Sequence, residues 1–409
     1  MKKINILVVQ EDTQGGVGFY RSFQPHEKLV KMFPDEFEVT YETSPKWNNC
    51  EFLRNFDIIH FHKGVYNNYD YFIKALEFCK ENNIVTICDI DDYWVLGEHH
   101  PGHSAFIRNK TDKMVVQSLM KADYVTTTTK LFKDKILPLN KKVEIIPNSI
   151  DPTDNRFAVN KKKCNKIRIG MIMGSSHWYD LLTMNNFVKN LPREILDKIE
   201  FVLCGFDLRG EVRYIDANGK MTSRNLTPHE SVWYNYEQYL TDNYNIISPQ
   251  YHNFLEQFIP YQEYPHEEQE GYKRRWTKNM DHYYEHFSEI DVLLAPLEEN
   301  DFNKVKSQLK VIEAAFSHSA IIATNFGPYT LDLKNIFVKG GGIDKTGNAI
   351  LIDPRKAHKE WYKAIEKIVK NPELIPLLQD NLYNDIHEKY DLNNVTKQRA
   401  EFYRKIIKK

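Results

Sequence analysis

The sequence has no paired cysteines, almost no net charge and no apolar run long enough to cross a bilayer. Each absence removes a class of protein. The five cysteines, Cys50, Cys79, Cys88, Cys164 and Cys204, are odd in number, scattered and never in a CxxC pair, which leaves no disulfide framework and no zinc signature. Cys79, Cys88 and Cys204 sit in apolar segments and read as buried thiols. Lys and Arg total 55 against 56 Asp and Glu, a formal net charge of −1. That balance disfavours broad binding to nucleic acid, which draws on a basic surface. The opening residues Ile4–Val9 form too short an apolar run for a signal peptide and pass straight into Gln10-Glu11-Asp12. They read as a first buried strand, and a reducing cytoplasm is the expected setting.

What is present is length and apolar content. With 409 residues, 42% hydrophobic and 13% aromatic, the chain supports two packed domains. Short apolar strands alternate with helical patterns at Ile4–Val9, Phe37–Tyr41, Asp57–Phe61, Ile84–Ile90, Tyr124–Thr127 and Val143–Ile146. Continuous apolar strands between helices indicate a parallel sheet covered on both faces. A Pro147-Asn148-Ser149-Ile150-Asp151-Pro152 break, followed by Lys161-Lys162-Lys163, reads as a linker. A second α/β series follows, with strands at Ile167–Met173, Glu200–Cys204, Asp291–Ala295, Ala320–Thr324 and Ala349–Ile352. The expected domains are 1–155 and 156–389, with an aromatic-rich insertion at about 207–280. Its rings, among them Trp233, Tyr234, Tyr236, Tyr239, Tyr244, Tyr251, Tyr261, Tyr264, Tyr272, Trp276, Tyr283 and Tyr284, either stack on sugar faces or pack a small extra core; the second use is the commoner. Asn218-Gly219 is a hairpin-turn signal.

The chemistry-bearing residues cluster at strand ends, where open α/β sheets bind ligands. Lys306, Lys310 and Glu313 lie three or four residues apart, a spacing that puts them on one side of a helix. Lysines at a helix N-terminus suit a diphosphate, and a glutamate one turn on can accept from a ribose diol. Gly15-Gly16-Val17-Gly18 follows the first strand but is not a complete GxGxxG fingerprint. His60 and His62 share one strand face, and His62 emerges at the sheet edge. Asp89, Asp91 and Asp92 end the next strand, where carboxylates bind a metal, serve as a base or cap the following turn; hydrogen-bonding to a substrate or loop is the preferred reading. His99, His100 and His103 follow as a weaker candidate for a metal. Gly174, Ser175, Ser176 and His177 end the first strand of the second series; the first three either offer backbone and hydroxyl donors to a phosphate or form a tight turn with a Ser cap.

Together, the Gly-rich turn, His-x-His strand, Pro-Asn-Ser-Ile-Asp linker, Glu313 helix before Ala320–Thr324, and Gly347-Asn348-Ala349-Ile350-Leu351-Ile352-Asp353 turn resemble the GT-B glycosyltransferases. The likeness is to the large retaining family 4, in a subgroup with Lys-Ser-x-x-Lys-x-x-Glu. It spans nearly the whole chain outside the aromatic insertion. The resemblance implies two Rossmann-like domains facing a cleft and transfer of a sugar from a nucleotide diphosphate sugar to a glycan or lipid-linked glycan. Neither a metal nor another cofactor is implied, because lysines meet the diphosphate charge. It assigns catalysis to His62, Lys306, Lys310 and Glu313. It assigns donor binding to those last three with Gly16, Gly174, Ser175, Ser176, His177 and Ser307, and the acceptor side to Gly18, Tyr20, Arg21, Asp91 and Asp92. It also implies that a final helix, within 390–409, returns to the first domain. The chain departs from the family where Glu-x7-Glu would require a glutamate at Val305, and where Ser175, Ser176 and His177 replace the usual Arg and Lys. Alternatives on the same fold are a phage-type DNA-base glycosyltransferase, a nucleotide-sugar epimerase and a non-catalytic glycan-binding protein. The basic tail Arg404–Lys409 reads as a solvated helix end or as a peripheral membrane contact at the inner face.

Overall fold

The computed structural model describes residues 2–100, 102–207, 211–215, 219–227, 230–241, 268–269, 271–338 and 340–407. Tyr244, Tyr251, Tyr261, Tyr264, Asn218, Lys408 and Lys409 lie outside the described residues.

The first half forms a six-stranded sheet in the order β2-β1-β3-β4-β5-β6. Its strands are β1 (Ile4–Val9), β2 (Phe37–Glu42), β3 (Ile58–His62), β4 (Val85–Ile90), β5 (Tyr124–Thr127) and β6 (Val143–Ile145). Every pairing in it is parallel. Side chains of both faces are sealed, which is why these strands read as unbroken apolar runs. Val9, Phe61 and Cys88 pack under the helix Tyr69–Glu81. Ile6, Val8 and Phe37 pack under the helix Leu392–Ile407 through Ala400, Tyr403 and Ile406.

The second half holds β7 (Ile167–Ile172), β8 (Ile199–Phe206), a separate hairpin of β9 (Glu211–Ile215) and β10 (Met221–Asn225), then β11 (Glu268–Gln269), β12 (Tyr272–Trp276), β13 (Val292–Ala295), β14 (Ala320–Thr324) and β15 (Ile350–Ile352). Its main sheet runs β11-β12-β8-β7-β13-β14-β15, parallel except at β11. One expected boundary needs correction. Tyr272–Trp276 is a strand of this sheet beside β8, and Glu268–Gln269 pairs with it, so the chain is back in the sheet by Glu268 and not near residue 280. The alternation in Tyr-Lys-Arg-Arg-Trp concealed it, because Arg274 and Arg275 are buried there by ion pairs to Glu237 and Glu289. Trp233, Tyr236, Tyr272, Trp276 and Tyr284 are likewise core residues, not an exposed sugar platform.

In each sheet the strand order reverses direction at the first strand, with parallel neighbours β2 and β3 on either side of β1, and β8 and β13 on either side of β7. The crevices at these reversal points face one another across the cleft. The chain crosses between the halves twice, side by side: Ile150 N donates to Tyr390 O at 3.0 Å and Leu392 N to Ile150 O at 2.8 Å. Phe19 and Tyr20, which follow β1, are buried in an apolar cluster with Phe157, Tyr284 and Phe287 of the second half.

Candidate active site

A cavity of about 360 Å³ opens between the two reversal points, at the small end of the range for ligand sites. Gly16 and Tyr20 line it from the first half, and Gly174, His177, Tyr283, Lys310 and Glu313 from the second. Space for a ligand is secured by missing side chains. A Cβ on Gly174 would meet nothing within 4 Å. Gly205, at φ +93°, lets β8 approach so closely that a Cβ would lie 2.5 Å from the Met173 carbonyl oxygen.

The cavity's polar wall is one hydrogen-bonded group. Lys310 Nζ lies 2.8 Å from Glu313 Oε2 and donates to the Tyr283 hydroxyl at 2.8 Å. Tyr283 donates on to Glu313 Oε2 at 3.3 Å. Glu313 is only 1% exposed, so this pairing with Lys310 is what makes a carboxylate tolerable there. Burial, and then the Glu313 charge, push the Tyr283 and Tyr20 hydroxyls well above their ordinary pKa, keeping both as proton donors. The Tyr20 hydroxyl is sealed from solvent and makes no hydrogen bond of standard geometry among the described residues. Tyr283 was not singled out by sequence as a site residue. Its only signal was a place in the aromatic tract, shared with rings that prove to be core.

The helix Leu309–Phe316 carries Lys310 and Glu313, but Lys306 sits in the bend before it. The expectation of three residues on one helical face is therefore corrected to two. Lys306 lines an adjoining cavity of about 140 Å³ with His99, His100, Tyr179, Asp180, Glu298 and Asn303, its ammonium 5.0 Å from the centre of the Phe302 ring. His177, on the wall of the larger cavity, is bonded to Asp180 on the wall of the smaller one. Its Nδ1 is 2.6 Å from Asp180 Oδ2, and Asp180 Oδ1 accepts from Glu298 N and Asn303 Nδ2, each at 2.8 Å. Because a carboxylate only accepts, Nδ1 carries the proton and Nε2 is left as an acceptor. Burial, with the nearby Lys306 charge, lowers the His177 pKa and favours that neutral form. His177 in this form presents Nε2 as a hydrogen-bond acceptor and carries no positive charge. Ser175 and Ser176 are exposed, with no side-chain cap bond at this turn.

Across the cleft, His62 Nε2 lies 2.9 Å from Asp91 Oδ1, and Lys63 Nζ lies 3.4 Å from Asp91 and 3.5 Å from Asp92. Burial opposes the Asp91 charge, but Lys63 and His62 hold its pKa well below the usual range. This cluster ends β3 and β4 and is not part of the larger cavity wall. His99, His100 and His103 do not converge on one point: His99 stacks on Tyr179, His100 packs at a tilt of 58° against Phe302, and His103 Nδ1 bonds Leu96 O at 2.9 Å. Among the described residues no group of three or more metal-binding side chains assembles.

Two acceptor-side expectations are overturned by burial. Arg21 is fully buried and clamps Asp89 with two hydrogen bonds of 3.0 and 2.6 Å, so its guanidinium cannot touch an acceptor. Gly18 is also buried, in a π-helical segment Gly18–Phe23; a Cβ there would lie 1.9 Å from the Asp12 carbonyl oxygen. It allows close packing and does not approach a ligand. Tyr20 lines the larger inter-domain cavity together with Lys310 and Glu313.

No protein-family model matches this sequence, and no curated protein matches it. Solved structures do match in shape along the entire chain. HepE from Anabaena, in complex with UDP and glucose, superposes with a TM-score of 0.56 at 11% identity, over 98% of this chain and 100% of that one. An alpha-glucosyltransferase, in complex with UDP and a 13-mer DNA containing an HMU base, gives 0.58 at 12% identity over 100% of both chains. The catalytic domain of starch synthase IV from Arabidopsis thaliana, bound to ADP and acarbose, gives 0.56 at 10% identity, again over 100% of both. At these identities the likeness fixes the architecture: the chain has the GT-B fold, with two Rossmann-like domains facing a central cleft.

Proposed function

We propose that this protein is a glycosyltransferase that moves a sugar from a nucleotide diphosphate sugar to a hydroxyl of a glycan or lipid-linked glycan. The observation that carries the reading is the Lys310–Tyr283–Glu313 group in the inter-domain cavity, at the N-terminus of a helix and beside the reversal point of the second sheet. Glu313 is oriented to accept from a ribose diol. Lys310, the free N–H groups of its helix, and Lys306 meet the charge that develops on the leaving diphosphate. His177 Nε2 receives a hydroxyl of the donor sugar. The His62–Asp91 pair, on the acceptor side of the cleft, holds His62 in one orientation toward the incoming group. Cleft closure excludes water and limits hydrolysis. Retention of configuration and a role in surface polysaccharide synthesis follow from the family resemblance and belong to the same proposal.

The test is thermal stabilisation by UDP, GDP, ADP and CMP and their common sugar conjugates, on wild type and Glu313→Ala. A shift selective for one nucleoside diphosphate, lost in the variant, supports the donor site and names the base. No shift with any nucleotide on folded protein removes the transferase reading.

A second reading, glycosyl transfer to a DNA base, is favoured by the full-length match to a glucosyltransferase solved with DNA. The net charge of −1 weighs against it. Once the donor is known, sugar transfer measured with duplex DNA carrying hydroxymethylated bases, beside glycan acceptors, separates the two.

A further inference from the structure

A buried file of polar side chains runs from the first sheet to the loop that precedes Lys310. Asp89, at the end of β4, accepts from Arg21 Nε at 3.0 Å, Arg21 Nη2 at 2.6 Å and Thr126 Oγ1 at 2.6 Å. Arg21 Nη1 donates to Ile146 O at 2.7 Å and to Asn148 Oδ1 at 3.1 Å. Asn148 Nδ2 then donates to Ser307 Oγ at 3.2 Å. Asp89, Arg21 and Asn148 are all buried, and Ser307 is half-buried.

The direction of this file is dictated by chemistry. A guanidinium only donates, so the Asn148 amide must turn its oxygen toward Arg21 and its N–H groups toward Ser307. One lone pair of Ser307 is thereby occupied, and its own proton is left to give away. Among the described residues no protein group accepts it. Ser307 stands between Lys306, on the wall of the smaller cavity, and Leu309 and Lys310, on the wall of the larger one. An acceptor placed between two lysines and a helix N-terminus is an anion.

We propose that Asp89, Arg21 and Asn148 form a one-way hydrogen-bond relay that holds the Ser307 hydroxyl as a donor to the diphosphate of the bound nucleotide. Ser307 is the binding group and Asn148 the positioning residue. The relay also ties the diphosphate loop to the inter-domain crossing at 146–152, so that the donor site is complete only when the two halves are in this arrangement. The inference rests on the donor site proposed above.

Asn148→Asp tests the direction. The replacement is near-isosteric and still accepts from Arg21, but its second oxygen takes the Ser307 proton and turns that hydroxyl's lone pairs toward the ligand. Titration calorimetry would compare wild type, N148D, S307A, S307T and the double N148D/S307A. The probes are UDP, GDP and ADP together with uridine, guanosine and adenosine. For the diphosphate that wild type binds, Kd is expected to rise about tenfold or more in N148D and in S307A, the loss of one hydrogen bond to a charged group. Affinity for the matching nucleoside should stay unchanged, the double variant should be no weaker than the weaker single, and S307T should bind as wild type. Diphosphate affinity unaltered in S307A, or altered equally for the bare nucleoside, would overturn the role of Ser307. A loss in S307A with none in N148D would overturn the relay. S307A leaves the buried Asp89–Arg21–Asn148 contacts intact, so it reports even where N148D does not fold. No binding of any diphosphate to wild type would remove the donor site itself, an outcome distinct from all of these.

Discussion

His60 lies on β3 with both ring nitrogens buried and without a hydrogen-bond partner among the described residues, 4.8 Å edge-to-face from His26. His26 is itself committed, with Nδ1 2.6 Å from Ser22 O and Nε2 2.8 Å from the Tyr403 hydroxyl. Burial lowers the pKa of His60 to about 3; Asp89 opposes this, while Arg399, Arg21 and His62 add to it. Burial and Arg399 also hold His26 well below its ordinary value. An unfolded histidine titrates near 6.5. Between about 6.5 and 3 the unfolded chain therefore binds a proton that folded His60 refuses, so stability must fall as pH falls. From pH 7.5 to 5.0, His60 alone accounts for a loss of about 2 kcal/mol, from 1.36 kcal/mol per pH unit below 6.5. The perturbation is His60→Leu, which removes the titrating ring and two unpaired nitrogens together. At pH 7.5 the variant should be as stable as wild type or up to about 2 kcal/mol more so. Its melting point should drop less on acidification, by about 4–8 °C for a domain of this size. Scanning calorimetry of both proteins at the two pH values reads this directly. An identical drop in the two proteins would refute the argument, because His60 would then be charging freely in the folded state.

Tyr283→Phe removes only the hydroxyl that joins Lys310 to Glu313; nucleotide affinity should fall about 5- to 30-fold with the melting point nearly unchanged, as calorimetric titration would show. Gly18→Ala sets a methyl group against the Asp12 carbonyl, and urea denaturation should report a loss of about 1–3 kcal/mol. Asp91→Asn frees His62 to reorient; initial rates should show kcat reduced by about tenfold or more with donor KM little changed, the loss expected when an orienting hydrogen bond is removed. Equal changes in both parameters would move His62 to the donor site.

Much of the fold was legible because parallel strands buried on both faces leave apolar runs that no other arrangement needs. β1, β5 and β14 coincide with their sequence-read bounds, and the other strands read from the sequence differ by a residue or two at an end. β12 escaped because its arginines are neutralised by Glu237 and Glu289, partners distant in sequence. The site was legible only in its positions. Spacing placed Lys310 and Glu313 on one helical face, yet the same spacing put Lys306 there wrongly, since periodicity does not say where a helix begins. Arg21 and Gly18 were misassigned for one reason: a strand-end residue either faces the cleft or folds back beneath it, and pattern alone does not distinguish the two.

The charges of the site are arranged so that the unliganded protein is nearly self-neutral. Lys310 is held by Glu313, Lys63 by Asp91 and Asp92, and Arg21 by Asp89. Lys306, by contrast, has no carboxylate within 4.0 Å among the described residues. An incoming diphosphate therefore competes with Glu313 for Lys310, while a ribose would benefit from the same carboxylate. The two halves of one nucleotide accordingly respond in opposite directions to Glu313→Gln. Inorganic pyrophosphate should bind about fivefold more tightly, the roughly 1 kcal/mol of a partly exposed ion pair. The nucleoside alone should bind more weakly, because an amide offers one acceptor oxygen in place of two. General damage to the cavity would weaken both ligands together, so competition titration with pyrophosphate and nucleoside separates a carboxylate that serves the ribose from one that merely balances a lysine.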